Sequence, residues 1–117
     1  MAALVVGLFV LGAQPYAAGL IPSPLDKLAH VGLYGAIAAL TWTVLGGRGR
    51  LAGLAAVLVS VAIGGADEIV QASLMGRNAS LLDFSADILG AVLGLALMTA
   101  AVPVRRAPIG VESKGWP

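Results

Sequence analysis

Three short stretches carry almost all the side chains that could do chemistry: Asp26, Lys27, His30 and Tyr34; then Asp67, Glu68 and Gln71; then Arg77, Ser80, Asp83 and Asp87. Carboxyl and imidazole groups move protons near neutral pH, which makes Glu68, Asp83, Asp87 and His30 candidate general acids or bases. A guanidinium presents a fork that suits phosphate or carboxylate, so Arg77 is a candidate anchor for an anionic group. His, Asp and Glu are also types that a divalent metal accepts, but no tight His-Glu-x-x-His-type spacing identifies a metal site. No cofactor is read from the chain, and a divalent metal stays open. The sequence has no cysteine, which excludes disulfides, thiolate metal sites and a cysteine nucleophile. No other nucleophile motif names a reaction.

These residues stand out because their surroundings are apolar. The chain has 117 residues, 59% of them hydrophobic and 11% charged, a balance that belongs to membrane proteins rather than water-soluble domains. Continuously apolar runs argue against the alternating strands of a spanning barrel. The fold class is therefore all-α: an integral membrane four-helix bundle with short loops, its spans near residues 2–20, 25–45, 51–74 and 80–102. A span takes about 20 residues, so the four nearly exhaust residues 1–104 and leave a polar tail at 105–117. The first apolar run resembles a secretory signal but lacks a basic start, and it is read as a span. Pro22 and Pro24 end it, Gly46 and Gly47 supply a C-cap for the second span, and Ser80 is a candidate N-cap for the fourth. Asn78-Ala79-Ser80 fits a glycosylation sequon, a short pattern to which no weight is given.

Arg48 and Arg50 follow the second span, and Arg105 and Arg106 follow the fourth, so an even number of spans puts all four on one side. The positive-inside rule makes that side cytoplasmic, with both termini inside. All three polar stretches then lie at matching depth near the extracytoplasmic face. At about 100° per residue each forms a stripe on its helix, with Ser60 and Gly64 continuing the second, and Gly90 and Gly94 the third. Charge facing lipid is costly, so the stripes should face one another. Gly64, Gly90 and Gly94 are read as helix-packing positions, since small residues let helix backbones approach in lipid. The cluster sets five carboxylates against Lys27 and Arg77, a surplus of about three negative charges that protonation, a charged His30 or a bound cation must relieve.

Plainer readings stand beside these. The cluster also reads as an ion-pair network in which Arg77 or Lys27 pins the outer helix ends together. Asp26 and Lys27 suit the interface, where lysine snorkels. Asp83 complements the start of a helix dipole, whereas Asp87, one turn deeper, is harder to explain that way. Tyr34 reads either as an interfacial aromatic or as a hydrogen-bond donor within the cluster.

Taken in order, Asp26-Lys27-x-x-His30-x-x-x-Tyr34, Asp67-Glu68-x-x-Gln71 and Arg77-x-x-Ser80-x-x-Asp83-x-x-x-Asp87-x-x-Gly90-x-x-x-Gly94 closely resemble the VanZ-like family over about residues 24–94. The resemblance implies a multi-pass protein of the bacterial inner membrane, in a family sometimes associated with resistance to teicoplanin and related glycopeptides. It implies no reaction. Three functions are expected from these residues: a site that binds or acts on an envelope lipid or glycopeptide-related ligand; a small proton-coupled multidrug transporter; or a structural assembly subunit. Beyond the bilayer and such a ligand no partner is read, nucleic acid included, and the oligomeric state is left open.

Overall fold

The computed structural model describes residues 2–12, 21–74 and 79–102. Four helices account for most of them: α1 (Ala2–Gly12), α2 (Leu25–Val44), α3 (Gly49–Ala72) and α4 (Leu81–Ala101), and no strand occurs among the described residues. The expected all-α class is therefore observed. Of the expected first span, residues 2–12 are helical and 13–20 lie outside the described residues, as do Arg77, Arg105 and Arg106.

Local sequence explains where the helices stop. Leu25 N–H donates to Pro22 O at 2.9 Å, which opens the first turn of α2 beyond the proline stretch. At the other end Gly47 N–H reaches Trp42 O at 2.9 Å and Gly46 N–H reaches Thr43 O at 3.1 Å, the paired bonds of a Schellman cap. That cap needs a left-handed residue after the helix, and Gly46 supplies it with φ of 93°. Helix α3 starts at Gly49, two residues earlier than expected, so Arg50 belongs to its first turn rather than to a loop. It ends at Ala72, where Ser73 N–H and Oγ both donate to Val70 O. Ser80 caps α4, accepting Asp83 N–H at 3.2 Å, as its position in the sequence predicts.

Helices α2 and α4 share the most extensive contact, α3 flanks both, and α1 meets the bundle sparsely against α3. Glycine sets the α2–α4 distance. A Cβ on Gly94 would fall 2.6 Å from Gly35 Cα, and one on Gly90 would fall 2.8 Å from Val31 Cα. Backbone thus packs on backbone, the close approach expected of Gly90 and Gly94.

Polarity is arranged inside out. Thr41, Ser60, Asp67, Glu68, Gln71 and Asp87 are buried beside Tyr34, Ile37 and Trp42, while Leu51 and Leu81 are 83% and 84% exposed and many other leucines, valines and isoleucines face outward. Helices α3 and α4, with 24 and 21 residues and a mean hydropathy of 1.8, are long and apolar enough to cross a membrane. At 1.5 Å per residue each reaches beyond roughly 30 Å of hydrocarbon. The 20 residues of α2 carry Asp26, Lys27 and His30 in its first turns, which lowers its apolarity there.

Candidate functional site

The up-down order of the helices brings the start of α2, the end of α3 and the start of α4 to one end of the bundle, and with them the three polar stripes. At the rim, Lys27 Nζ donates to Asp26 Oδ2 at 2.8 Å and reaches across to Asp83 Oδ1, joining α2 to α4. These three side chains keep contact with the surroundings, at 28%, 29% and 15% exposure, so the pairs are screened and each contributes little by itself.

One turn deeper, His30 Nδ1 lies 2.7 Å from Asp87 Oδ1. Asp87 is fully enclosed and the imidazole is 19% exposed, so the pair connects rim to interior. The His30 ring stacks on Tyr34 with centroids 6.0 Å apart and planes 17° from parallel. Tyr34 is in turn held from two sides. Its carbonyl accepts Ser60 Oγ–H from α3 at 2.8 Å, and its hydroxyl points to Asp67 Oδ2 at 3.4 Å, a long contact. The same Asp67 oxygen accepts Gln71 Nε2–H at 2.8 Å, one helical turn along. Glu68 Oε2 accepts the Ser80 backbone N–H at 2.6 Å, tying the end of α3 to the cap of α4.

Among the described residues two carboxylate oxygens are left over. Glu68 Oε1 and Asp87 Oδ2 are buried without a hydrogen-bond partner, an arrangement that costs about 1–3 kcal/mol per bare acceptor and more when it is charged. Gly64 makes the room for one of them, since a Cβ there would fall 2.7 Å from Asp87 Oδ2. Its small size thus accommodates a side chain of the site rather than a neighbouring backbone, a refinement of the packing role expected for it. A ring nitrogen of His30 and one oxygen each of Glu68 and Asp87 all lie within 4.8 Å of one another. Imidazole and carboxylates so placed, away from water, can hold a proton between them or hold a cation.

Asp26, Lys27, His30, Tyr34, Asp67, Glu68, Gln71, Ser80, Asp83 and Asp87 therefore meet at one end of the molecule, in two layers. Arg77, the anchor expected between Gln71 and Ser80, lies outside the described residues. Sequence spacing alone does not single out Gly35, the α2 residue whose backbone meets Gly94. A cleft of about 760 Å³ lies elsewhere: it opens at the opposite end between Trp42, Arg48, Arg50, Leu54, Leu95 and Thr99, and none of the cluster carboxylates lines it. Asp67, Glu68 and Asp87 of the cluster are buried in the bundle interior.

No protein-family model, no curated protein and no solved structure matches this chain.

Proposed function

We propose that the chain is a VanZ-like protein of the bacterial inner membrane, spanning it four times with both termini inside, and that its polar site binds or acts on a cell-envelope component near the extracytoplasmic face. The observation that carries this reading is the fully buried Asp87 paired with His30, with Glu68 beside it, inside a bundle whose surface is apolar. Ionisable groups enclosed in such a bundle are functional by default, because lipid makes them expensive to keep. The inside-out polarity supports lipid as the solvent. The arginines at 48, 50, 105 and 106 support a cytoplasmic location for the end away from the cluster.

In this reading Lys27 and Asp83 form the rim that an envelope headgroup meets. His30 passes a proton between that rim and Asp87, Glu68 serves as a second acid or base, and Arg77 anchors an anionic group of the ligand. The spacing of the three polar stretches, which resembles the VanZ-like pattern, connects the site to glycopeptide resistance.

Replacing Glu68, Asp83 and Arg77 one at a time, while measuring membrane abundance and teicoplanin susceptibility of a sensitive host, tests the proposal. Wild type should protect, and the variants should lose protection at normal abundance. Full protection by all three variants at normal abundance would rule the site out. An assembly role has its own support, since Lys27 joins α2 to α4 and Glu68 holds the cap of α4; loss of the variants from the membrane would favour it. A proton-coupled multidrug transporter fits less well, because its coupling acids belong near the midplane and these gather at one end.

A further inference from the structure

We infer that His30, Glu68 and Asp87 form a binding site for one divalent transition-metal ion of the zinc or manganese class. The inference requires only the three-helix cluster and is separable from the envelope reading.

Each side chain comes from a different helix: His30 from α2, Glu68 from α3 and Asp87 from α4. Their donor atoms lie within 4.8 Å of one another. Donors about 2.1 Å from a tetrahedral ion stand roughly 3.4 Å apart, so these donors would close by at most about 1.4 Å to hold one. The two bare acceptors, Glu68 Oε1 and Asp87 Oδ2, belong to residues 7% and 0% exposed, and both sit in this cluster. A proton on each acid would neutralise them one at a time; a dication bound among the three residues would give both carboxylates a counter-charge at once.

Neighbouring charge points the same way. The groups facing the three are Asp67 from α3, and Lys27, Asp26 and Asp83 at the rim, with Lys27 already engaged by Asp26 and Asp83. Among the described residues the interior layer therefore holds three carboxylates and one imidazole, a field that favours a cation. The supporting contacts are those of a held ligand set. Ser80 N–H fixes Glu68 Oε2, Tyr34 stacks on His30, and Gly64 leaves space against Asp87 Oδ2. One imidazole and two carboxylates suit zinc, manganese or ferrous iron, whereas magnesium prefers oxygen ligands and retains its waters. Three protein ligands also leave a coordination position free, the pattern of sites that bind a further ligand.

The test uses the full chain, purified in detergent through a histidine-free tag, stripped with a chelator, loaded with zinc or manganese chloride and desalted. About one ion per chain should remain, with magnesium failing to compete. X-ray absorption of the zinc-loaded protein should show a single imidazole, necessarily His30 because the chain has one histidine. Glu68→Gln and Asp87→Asn should each weaken retention by more than the roughly tenfold that even an outer-shell loss costs, with Thr99→Ala, at the opposite end of the bundle, as the unaffected control. No retained ion, a zinc spectrum without imidazole, or wild-type retention by a well-folded Glu68→Gln/Asp87→Asn double variant would overturn the site. Because the wild-type spectrum decides alone, variants that fail to fold do not rescue or sink it. Metal binding without any change in teicoplanin susceptibility would uphold this inference and defeat the envelope reading; the reverse pair of results would do the opposite.

Discussion

At the scale of single residues, the candidate site depends on which carboxylate meets which partner. Asp83 and Asp87 are one turn apart and look alike in sequence, yet Asp83 joins Lys27 at the rim while Asp87 takes His30 in the interior. The membership of the cluster was legible because an apolar chain leaves few other places for charge. The pairing was not, since it depends on helix rotation and on the space that Gly64 leaves. Gly64→Ala tests that space. Its methyl would meet Asp87 Oδ2 at 2.7 Å, and overpacking of about 1–3 kcal/mol should exceed the roughly 1 kcal/mol gained in helix propensity. The variant should stay helical, unfold at lower temperature in detergent and lose the function of the site. Ser60→Ala removes the hydroxyl bond to Tyr34 O and should cost about 0.5–1 kcal/mol in the same measurement, the range found for hydrogen bonds between membrane helices.

At the scale of elements, punctuation made the helices legible. Pro22 and Pro24, Gly46 and Gly47, and Ser80 mark the boundaries of α2, α3 and α4 to within about two residues. What one chain does not reveal is which helices are neighbours. Gly90 and Gly94 advertise a close approach, but only the assembled bundle identifies Val31 and Gly35 as the surface approached. Gly94→Ala should therefore cost about 1–3 kcal/mol, because its methyl meets backbone that no rotamer change can move. Gly32→Ala, with nothing within 4 Å of its added Cβ, should be neutral or stabilising by up to about 1 kcal/mol. Thermal unfolding of the two variants side by side checks both values. Equal effects would mean that α2 and α4 do not meet through glycine.

At the scale of the molecule, composition alone makes the lipid-suited class legible, whereas topology demands more. Helices α3 and α4 satisfy the length and apolarity of a span, α2 is diluted by its own site residues, and α1 is described over 11 residues. Four spans with both termini inside is a proposal with a clean assay, since the chain has no cysteine to give background. Ser23→Cys and Ala79→Cys, at exposed positions near the cluster, should react with an impermeant maleimide on intact cells. Val102→Cys, at the far end of α4, should react only after permeabilisation. Labelling of Val102→Cys on intact cells would reverse the orientation and put the site on the cytoplasmic side.

The bond between His30 and Asp87 also sets an order of events during synthesis. Its two ends are 57 residues apart, and the link from Lys27 to Asp83 spans 56. A ribosome that has delivered α2 and α3 has yet to release the carboxylates that complete both pairs. Until α4 emerges, the imidazole lacks its carboxylate and Gly35 lacks the backbone it lies against, so α2 has neither of these contacts to hold it. Of α2, α3 and α4, the one made last closes the site, and a nascent chain halted before residue 83 would hold an unfinished cluster.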